Sequence, residues 1–222
     1  MTEYPKIQTL FERNPETFVV DHSKLKHPVF GTISEWDVTE KVDGTNIRVM
    51  FDPMIVAEDS PYTSPGPIVS FNGRTDNAQI PGDLVQYLIK TFTPKLFTCF
   101  DTPVVLYGEG YGAGIQKVGK QYHLDKSFIL FDILIDNQWW LNDSQMRAVA
   151  ANLGIQAVPY LGRWTLPEII NNVQAGFLST CSANPTLLAE GIVARPVETL
   201  FDKRHERVIL KLKTKDFVAG KR

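Results

Sequence analysis

Apolar and polar residues alternate around the first charged cluster of the chain. Val38, Glu40 and Val42 interleave with Thr39, Lys41 and Asp43, and Ile47, Val49 and Phe51 alternate again after Asp43-Gly44-Thr45-Asn46. This period of two predicts a β-hairpin turned at Asp-Gly, with Lys41 and Asp43 on one strand face. Apolar runs predict further strands at Val104–Tyr107, Phe128–Ile135, Ile192–Ala194 and Val208–Lys213. In the last, Lys211 and Lys213 project from one face and the leucines from the other, as on an edge strand guarded by lysines.

Helices are expected at Gly82–Phe92, at Ser144–Leu153 after Asn142-Asp143, and at Leu166–Gln174. The third carries a capping box, Thr165-x-x-Glu168, and a glycine stop at Gly176. Pro53 to Pro67, with Pro61 and Pro65 between them, reads as a surface loop. Strands and helices mix irregularly instead of alternating, which predicts an α+β fold. With 222 residues, 43% of them hydrophobic, one sizeable core is expected, burying about 70% of the unfolded surface.

Charge changes the picture more than composition does. The net charge is −2, but Lys203 to Arg222 holds eight Lys/Arg against two acids, a local +6, leaving 15 against 23, or −8, elsewhere. A basic C-terminal segment beside an acidic body can track phosphates; a merely solvated tail at Lys221 and Arg222 reads equally well. Cys99 and Cys181 make neither a disulfide scaffold nor a metal site, and His22, His27, His123 and His205 show no ligand spacing. The N-terminus lacks an apolar export stretch and no run approaches the length of a membrane span, so a soluble, reducing, cytoplasmic setting without membrane contact is expected.

Five clusters carry candidate chemistry: Glu40 to Asn46, Gly108-Glu109-Gly110, Phe131-Asp132, Glu190-Gly191, and Lys211-Leu212-Lys213. Lysine is a nucleophile only when unprotonated, and burial or neighbouring cations push it that way. Two lysines side by side near the C-terminus would bind a triphosphate and help keep Lys41 neutral. Taken singly, each cluster has a plainer reading: a solvated strand lysine, core packing for Phe131, a turn at Glu190-Gly191, a surface loop for Arg74. Asp132 is harder to dismiss, because a carboxylate in a buried strand needs a partner. Gly108 to Ala113 fits the relaxed dinucleotide fingerprint, but Ile115 to Gln121 is short, contains Gly119 and has no amphipathic period, so a Rossmann site is not expected.

As an ordered set, the clusters resemble the motifs of covalent nucleotidyltransferases, which include ATP-dependent ligases and RNA capping enzymes. Glu40 to Asn46 is similar to the Lys-x-Asp-Gly nucleophile motif. Val105 to Gly110, with Gly112 to Gln116, is similar to the third motif; Phe128 to Ile133, Glu190 to Val193 and Leu210 to Lys213 are similar to those that follow. Asn46 stands where DNA ligases and capping enzymes usually carry arginine, and is closer to the double-strand-type RNA ligases of phages and trypanosome editing complexes. The likeness spans roughly Glu40 to Asp216.

The resemblance implies a nucleotidyltransferase (ATP-grasp-like) core of antiparallel sheets flanked by helices, and an ATP-dependent RNA ligase. Lys41 would attack the α-phosphate of ATP and carry AMP, assisted by Lys211 and Lys213. Glu40, Asn46, Arg74, Glu109, Phe131 and Glu190 would line the nucleotide site: Glu109 on a ribose hydroxyl, Phe131 stacked on adenine, Arg74 on phosphate. Glu190 would also hold Mg²⁺ or Mn²⁺. The partner would be RNA with 5′-phosphate and 3′-hydroxyl ends, a nicked duplex foremost. Lys211 lies 11 residues from the end (222 − 211), so the whole chain is expected to be one adenylyltransferase domain without the C-terminal domain of many relatives, working alone or with a separate substrate-binding protein. Alternatives are a small ATP-dependent DNA ligase and a non-catalytic RNA-end-binding protein of the same fold.

Overall fold

The strands predicted on either side of Asp43-Gly44 do not pair with each other; they belong to different sheets. The computed structural model describes residues 3–55 and 66–217. Its strands are β1 (Gln8–Thr9), β2 (Phe11–Arg13), β3 (Val20–Leu25), β4 (Trp36–Glu40), β5 (Thr45–Ile55), β6 (Gly66–Gly73), β7 (Val104–Gly112), β8 (Lys126–Ile135), β9 (Trp139–Trp140), β10 (Tyr160–Trp164), β11 (Gly191–Pro196) and β12 (Leu210–Lys213). The α-helices are α1 (Gly82–Thr91), α2 (Gly119–Tyr122), α3 (Asp143–Leu153) and α4 (Leu166–Ala175). The fold is α+β with largely antiparallel sheets, as expected, and the three longer helices start and stop within two residues of their predicted bounds.

The chain forms two compact units, Met1–Tyr4 with Asp43–Ala157, and Pro5–Val42 with Val158–Arg222. Each has its own hydrophobic cluster, so the apolar content expected to fill one core fills two.

In the first unit the sheet order is β6-β5-β7-β8-β9. Ile47, Val49 and Phe51, Val104 and Leu106, and Phe128 and Leu130 form one apolar face, covered by Leu84 and Leu88 of α1 and Met146, Ala150 and Leu153 of α3. Tyr107 pairs with Asp132 and Gly108 with Leu130, so Phe131 is an extra residue in β8, a β-bulge. The bulge shifts the period by one. Phe128, Leu130, Ile133 and Ile135 all reach the core cluster, while Phe131 and Asp132, though consecutive, both stay on the opposite face. Predicted loop residues Pro53 and Pro67 lie instead in β5 and β6, with the register irregular between Asp52 and Ile55, where proline cannot donate. The other prolines of that segment, Pro61 and Pro65, lie outside the described residues, as do Lys221 and Arg222.

In the second unit the order is β1-β12-β11-β4-β10, with β2-β3 as a separate pair. β12 is therefore an interior strand, not the edge strand its lysines suggested: β1 pairs on one side and β11 on the other. Its leucines are buried and its lysines half-buried, as the alternation predicted. Trp36, Val38, Ile192, Ala194, Leu210 and Leu212 make the apolar face, covered by Ile169 and Val173 of α4. The predicted capping box starts that helix, with the Glu168 carboxylate accepting from the Thr165 N–H at 2.7 Å and hydroxyl at 2.8 Å.

Candidate active site

In the second unit, alternation along β4 puts Glu40 in phase with buried Trp36 and Val38, and turns Lys41 to the face carrying Lys211 and Lys213. Lys41 lies just past the end of β4, but its N–H still reaches the Gly191 carbonyl at 2.9 Å. Gly191 is paired on its other side with Lys213. The two lysines therefore flank a residue with no side chain. Gly191 must be glycine: its φ is +151°, and a Cβ there would press on the Leu212 carbonyl and lie 2.7 Å from the Lys213 Cα.

The Glu190 carboxylate takes up the space between them. One oxygen accepts from Lys41 Nζ at 2.5 Å and the other from Lys213 Nζ. Thr214 fixes the backbone here, its N–H on the Glu190 carbonyl at 3.0 Å. Burial pushes the Glu190 carboxyl up, but the ammonium groups of Lys41 and Lys213 outweigh it and hold the carboxyl below the ordinary glutamate value. Two ammonium groups thus share one carboxylate, an arrangement that gathers positive charge where an anion could replace Glu190 as their partner.

Glu40, expected among the nucleotide contacts, is engaged otherwise. It is buried, and its carboxylate accepts from Ser179 Oγ at 2.5 Å, Thr180 N–H at 2.9 Å and Thr180 Oγ1 at 3.0 Å. Glu40 thus ties the 179–180 loop to the strand leading into Lys41. Burial first, and then the Glu40 charge, push the neighbouring Cys181 thiol up to about 12.

The first unit gathers a second set. Asn46 and Glu109 are direct cross-strand partners on β5 and β7. Ile47 pairs with Gly73, so Arg74, exposed, follows one step past the end of β6 beside Asn46. Phe131 lies on the same sheet face through its bulge. Gln116 donates to the Gly44 carbonyl at 2.9 Å, joining the third cluster to the glycine of the nucleophile motif. Gly108 and Gly110 lie within β7 and no helix starts there, so the Rossmann reading is excluded.

Two contributors were not legible from spacing. Tyr4 donates its hydroxyl to Asp132 at 2.8 Å, supplying the partner that the buried carboxylate required. Its ring meets Phe131 edge-on at 5.1 Å between centroids. Arg48, in the apolar run from Ile47 to Phe51, is 0% exposed. Among the described residues no group of three or more His, Cys, Asp or Glu could hold a metal, so any divalent ion here would rely on a lone carboxylate plus ligand oxygens. No described helix is long and apolar enough to cross a membrane.

Comparison with known proteins bears on the fold and the family. No curated protein matches the chain. Solved structures that resemble it include a variant of Naegleria gruberi RNA ligase with ATP and Mn, 17% identical with a TM-score of 0.63, covering 96% of this chain and 62% of that one. A second variant of that ligase, with AMP and Mn, is 16% identical with a TM-score of 0.62, covering 97% and 58%. The same ligase with pyrophosphate is 17% identical with a TM-score of 0.61, covering 96% and 62%. At these identities the likeness is one of fold, and the chain spans about three fifths of those proteins. The family model described as RNA ligase matches residues 34–213, most of the sequence, and the chain belongs to that family.

Proposed function

We propose that the protein is an ATP-dependent RNA ligase with a nucleotidyltransferase core that works through a lysyl-AMP intermediate, with RNA repair as its role. The observation that carries this reading is the pair Lys41 and Lys213 on the single carboxylate of Glu190, in a chain whose family match runs from residue 34 to 213.

In the first step Lys41, its proton lost to solvent, attacks the α-phosphorus of ATP. An N–P bond forms, the bond from the α-phosphorus to the bridging oxygen breaks, pyrophosphate leaves with the electron pair, and the nitrogen releases a second proton to solvent to give the phosphoramidate. Lys211 and Lys213 stabilise the charge that develops on the phosphates, a role fixed cations perform without reorganising. Glu109 accepts from a ribose hydroxyl, and Phe131 stacks on adenine, a contact worth ~1–3 kcal/mol. Arg74 contacts phosphate, and Asn46 serves the later steps. Glu190, with phosphate oxygens and water, would hold Mg²⁺ or Mn²⁺, which supplies further charge neutralisation. AMP then passes from Lys41 to an RNA 5′-phosphate, and a 3′-hydroxyl displaces it to close the strand. The substrate is a nicked duplex of the double-strand type, met alone or with a separate RNA-binding partner, in the cytoplasm.

Purified protein incubated with labelled ATP and Mg²⁺ tests the first step. Covalent label on the wild type, lost in Lys41→Ala, is expected. No label on the wild type, or undiminished label on the variant, rejects the proposal. Nicked RNA, DNA and hybrid duplexes then separate RNA sealing from a small DNA ligase, while RNA binding without any AMP adduct would indicate a non-catalytic end-binding protein.

A further inference from the structure

We infer that Arg48 is a positioning residue that holds the turn carrying Arg74 and so aims Arg74 at phosphate. The aim rests on the phosphate role proposed above for Arg74; the holding does not. Arg48 is fully buried on β5, on the same face as Asn46 and pointing away from the apolar cluster of Ile47 and Val49. Its Nε donates to the Gly73 carbonyl at 2.8 Å and its Nη2 to Asp76 Oδ1 at 2.6 Å. Those two residues bracket Arg74. Nη1 is also buried and has no partner among the described residues.

Burying a guanidinium is costly, and a methionine would fill a similar volume without that cost. Only the planar fork offers two rigid, diverging donors that reach both ends of one short turn. Asp76 is 70% exposed, so its pairing with Arg48 adds little to stability, yet it orients the turn and keeps a carboxylate engaged close to Arg74. Asp76 is fixed a second time, its N–H on Glu3 Oε1 at 3.2 Å. The turn is thus tied at Gly73 and Asp76, while the arginine between them is exposed to solvent.

The test compares wild type, Arg48→Met, Arg48→Lys, Asp76→Asn, Arg74→Ala and the Arg48→Met/Arg74→Ala double variant. Trypsin cleavage after Arg74 reports the freedom of the turn whether or not the protein is active. The apparent KM for ATP in self-adenylation, and for 5′-phosphorylated nicked RNA in joining, reports the aim of Arg74. The Arg48 variants should be cut faster and should raise one of the two KM values about tenfold to a hundredfold, the scale of a misplaced contact group. Asp76→Asn, on the exposed side of the clamp, should do the same to a smaller degree and stands in if the Arg48 variants do not fold. The double variant should be no worse than Arg74→Ala. Wild-type cleavage rates in folded Arg48 or Asp76 variants overturn the clamp. Kinetic losses that add in the double variant overturn the aim, and so does wild-type KM in the Arg48 variants when Arg74→Ala is impaired. If Arg74→Ala has wild-type KM for both substrates, its phosphate role fails together with the aim. A wild type that takes no label from ATP refutes the ligase reading and the aim with it, while trypsin still judges the clamp.

Discussion

Replacing Glu40 by alanine should destabilise the unit that carries Lys41 by about 1–3 kcal/mol, the usual cost of leaving a buried donor unsatisfied. Four donors converge on the carboxylate: the Ser179 hydroxyl at 2.5 Å, the N–H and hydroxyl of Thr180 at 2.9 and 3.0 Å, and, weakly, the Cys181 thiol at 3.4 Å. Hydrogen bonds to a charged group contribute about 1.5–3 kcal/mol each, so their sum is an upper bound. The two hydroxyls can rotate toward other acceptors once the carboxylate is gone. The Thr180 N–H cannot rotate, and its desolvation sets most of the loss. Glutamine is the informative control. It keeps the shape but turns one acceptor into a donor, which can face Ser179 Oγ because that hydroxyl also accepts. Glu40→Gln should therefore lose less than Glu40→Ala. Denaturant titration measures both, and the alanine variant should also melt roughly 10 °C lower. The reasoning is refuted if Glu40→Ala stays within about 0.5 kcal/mol of wild type, the range of an ordinary surface substitution.

Other outcomes follow from the same geometry. Gly108→Ala would drive a Cβ into the Phe128 ring and to 2.6 Å from the Ile129 carbonyl oxygen, so overpacking should lower stability by about 1–3 kcal/mol in a urea titration. Because the Glu190 carboxyl is held below its ordinary value of 4.5, its stabilisation is fully present above that pH and is lost as pH falls through the depressed value in the fold. The stability gap between wild type and Glu190→Gln should accordingly be flat above pH 5 and change only below about 4.5, and a gap that changed between pH 6 and 8 would contradict the pairing. A disulfide exchange reagent at pH 8 should titrate exposed Cys99 first, with half-buried Cys181, its thiol pushed up to about 12, reacting far more slowly; equally rapid reaction of both would contradict that shift.

Local pattern carried the three longer helices, half of the described strands and the two-faced character of β12, because capping residues and side-chain period act within a few positions. Sheet membership was not legible. Val38 to Phe51 reads as a hairpin because alternation is the same whichever strand lies alongside, yet Glu40 pairs with Ile192 and Asn46 with Glu109. The edge reading of β12 failed for the same reason: its neighbours come from the chain's first ten residues and from residues 191–194. Among site residues, the order of the charged clusters pointed to Lys41, Glu190 and Lys213, which the fold brings together. The hold of Glu40 on the 179–180 loop was not legible, because its partners lie about 140 positions away. Arg48 and Tyr4 were missed, although an arginine inside Ile47 to Phe51 was a visible anomaly of the kind that led to Asp132.

The single extra residue in β8 separates two requirements that a regular strand would couple. Were Phe131 paired in register instead of bulged, strict alternation from Leu130 onward would put Asp132 in the oily layer and Ile133 and Ile135 outside it; deleting position 131 would remove the bulge and keep Leu130, Ile133 and Ile135 in phase. Exchanging the ring at that position leaves the phase untouched. The chemistry at residue 131 can therefore be rewritten by substitution at little risk to the sheet, because the layer beneath takes its phase from the residues on either side of the bulge.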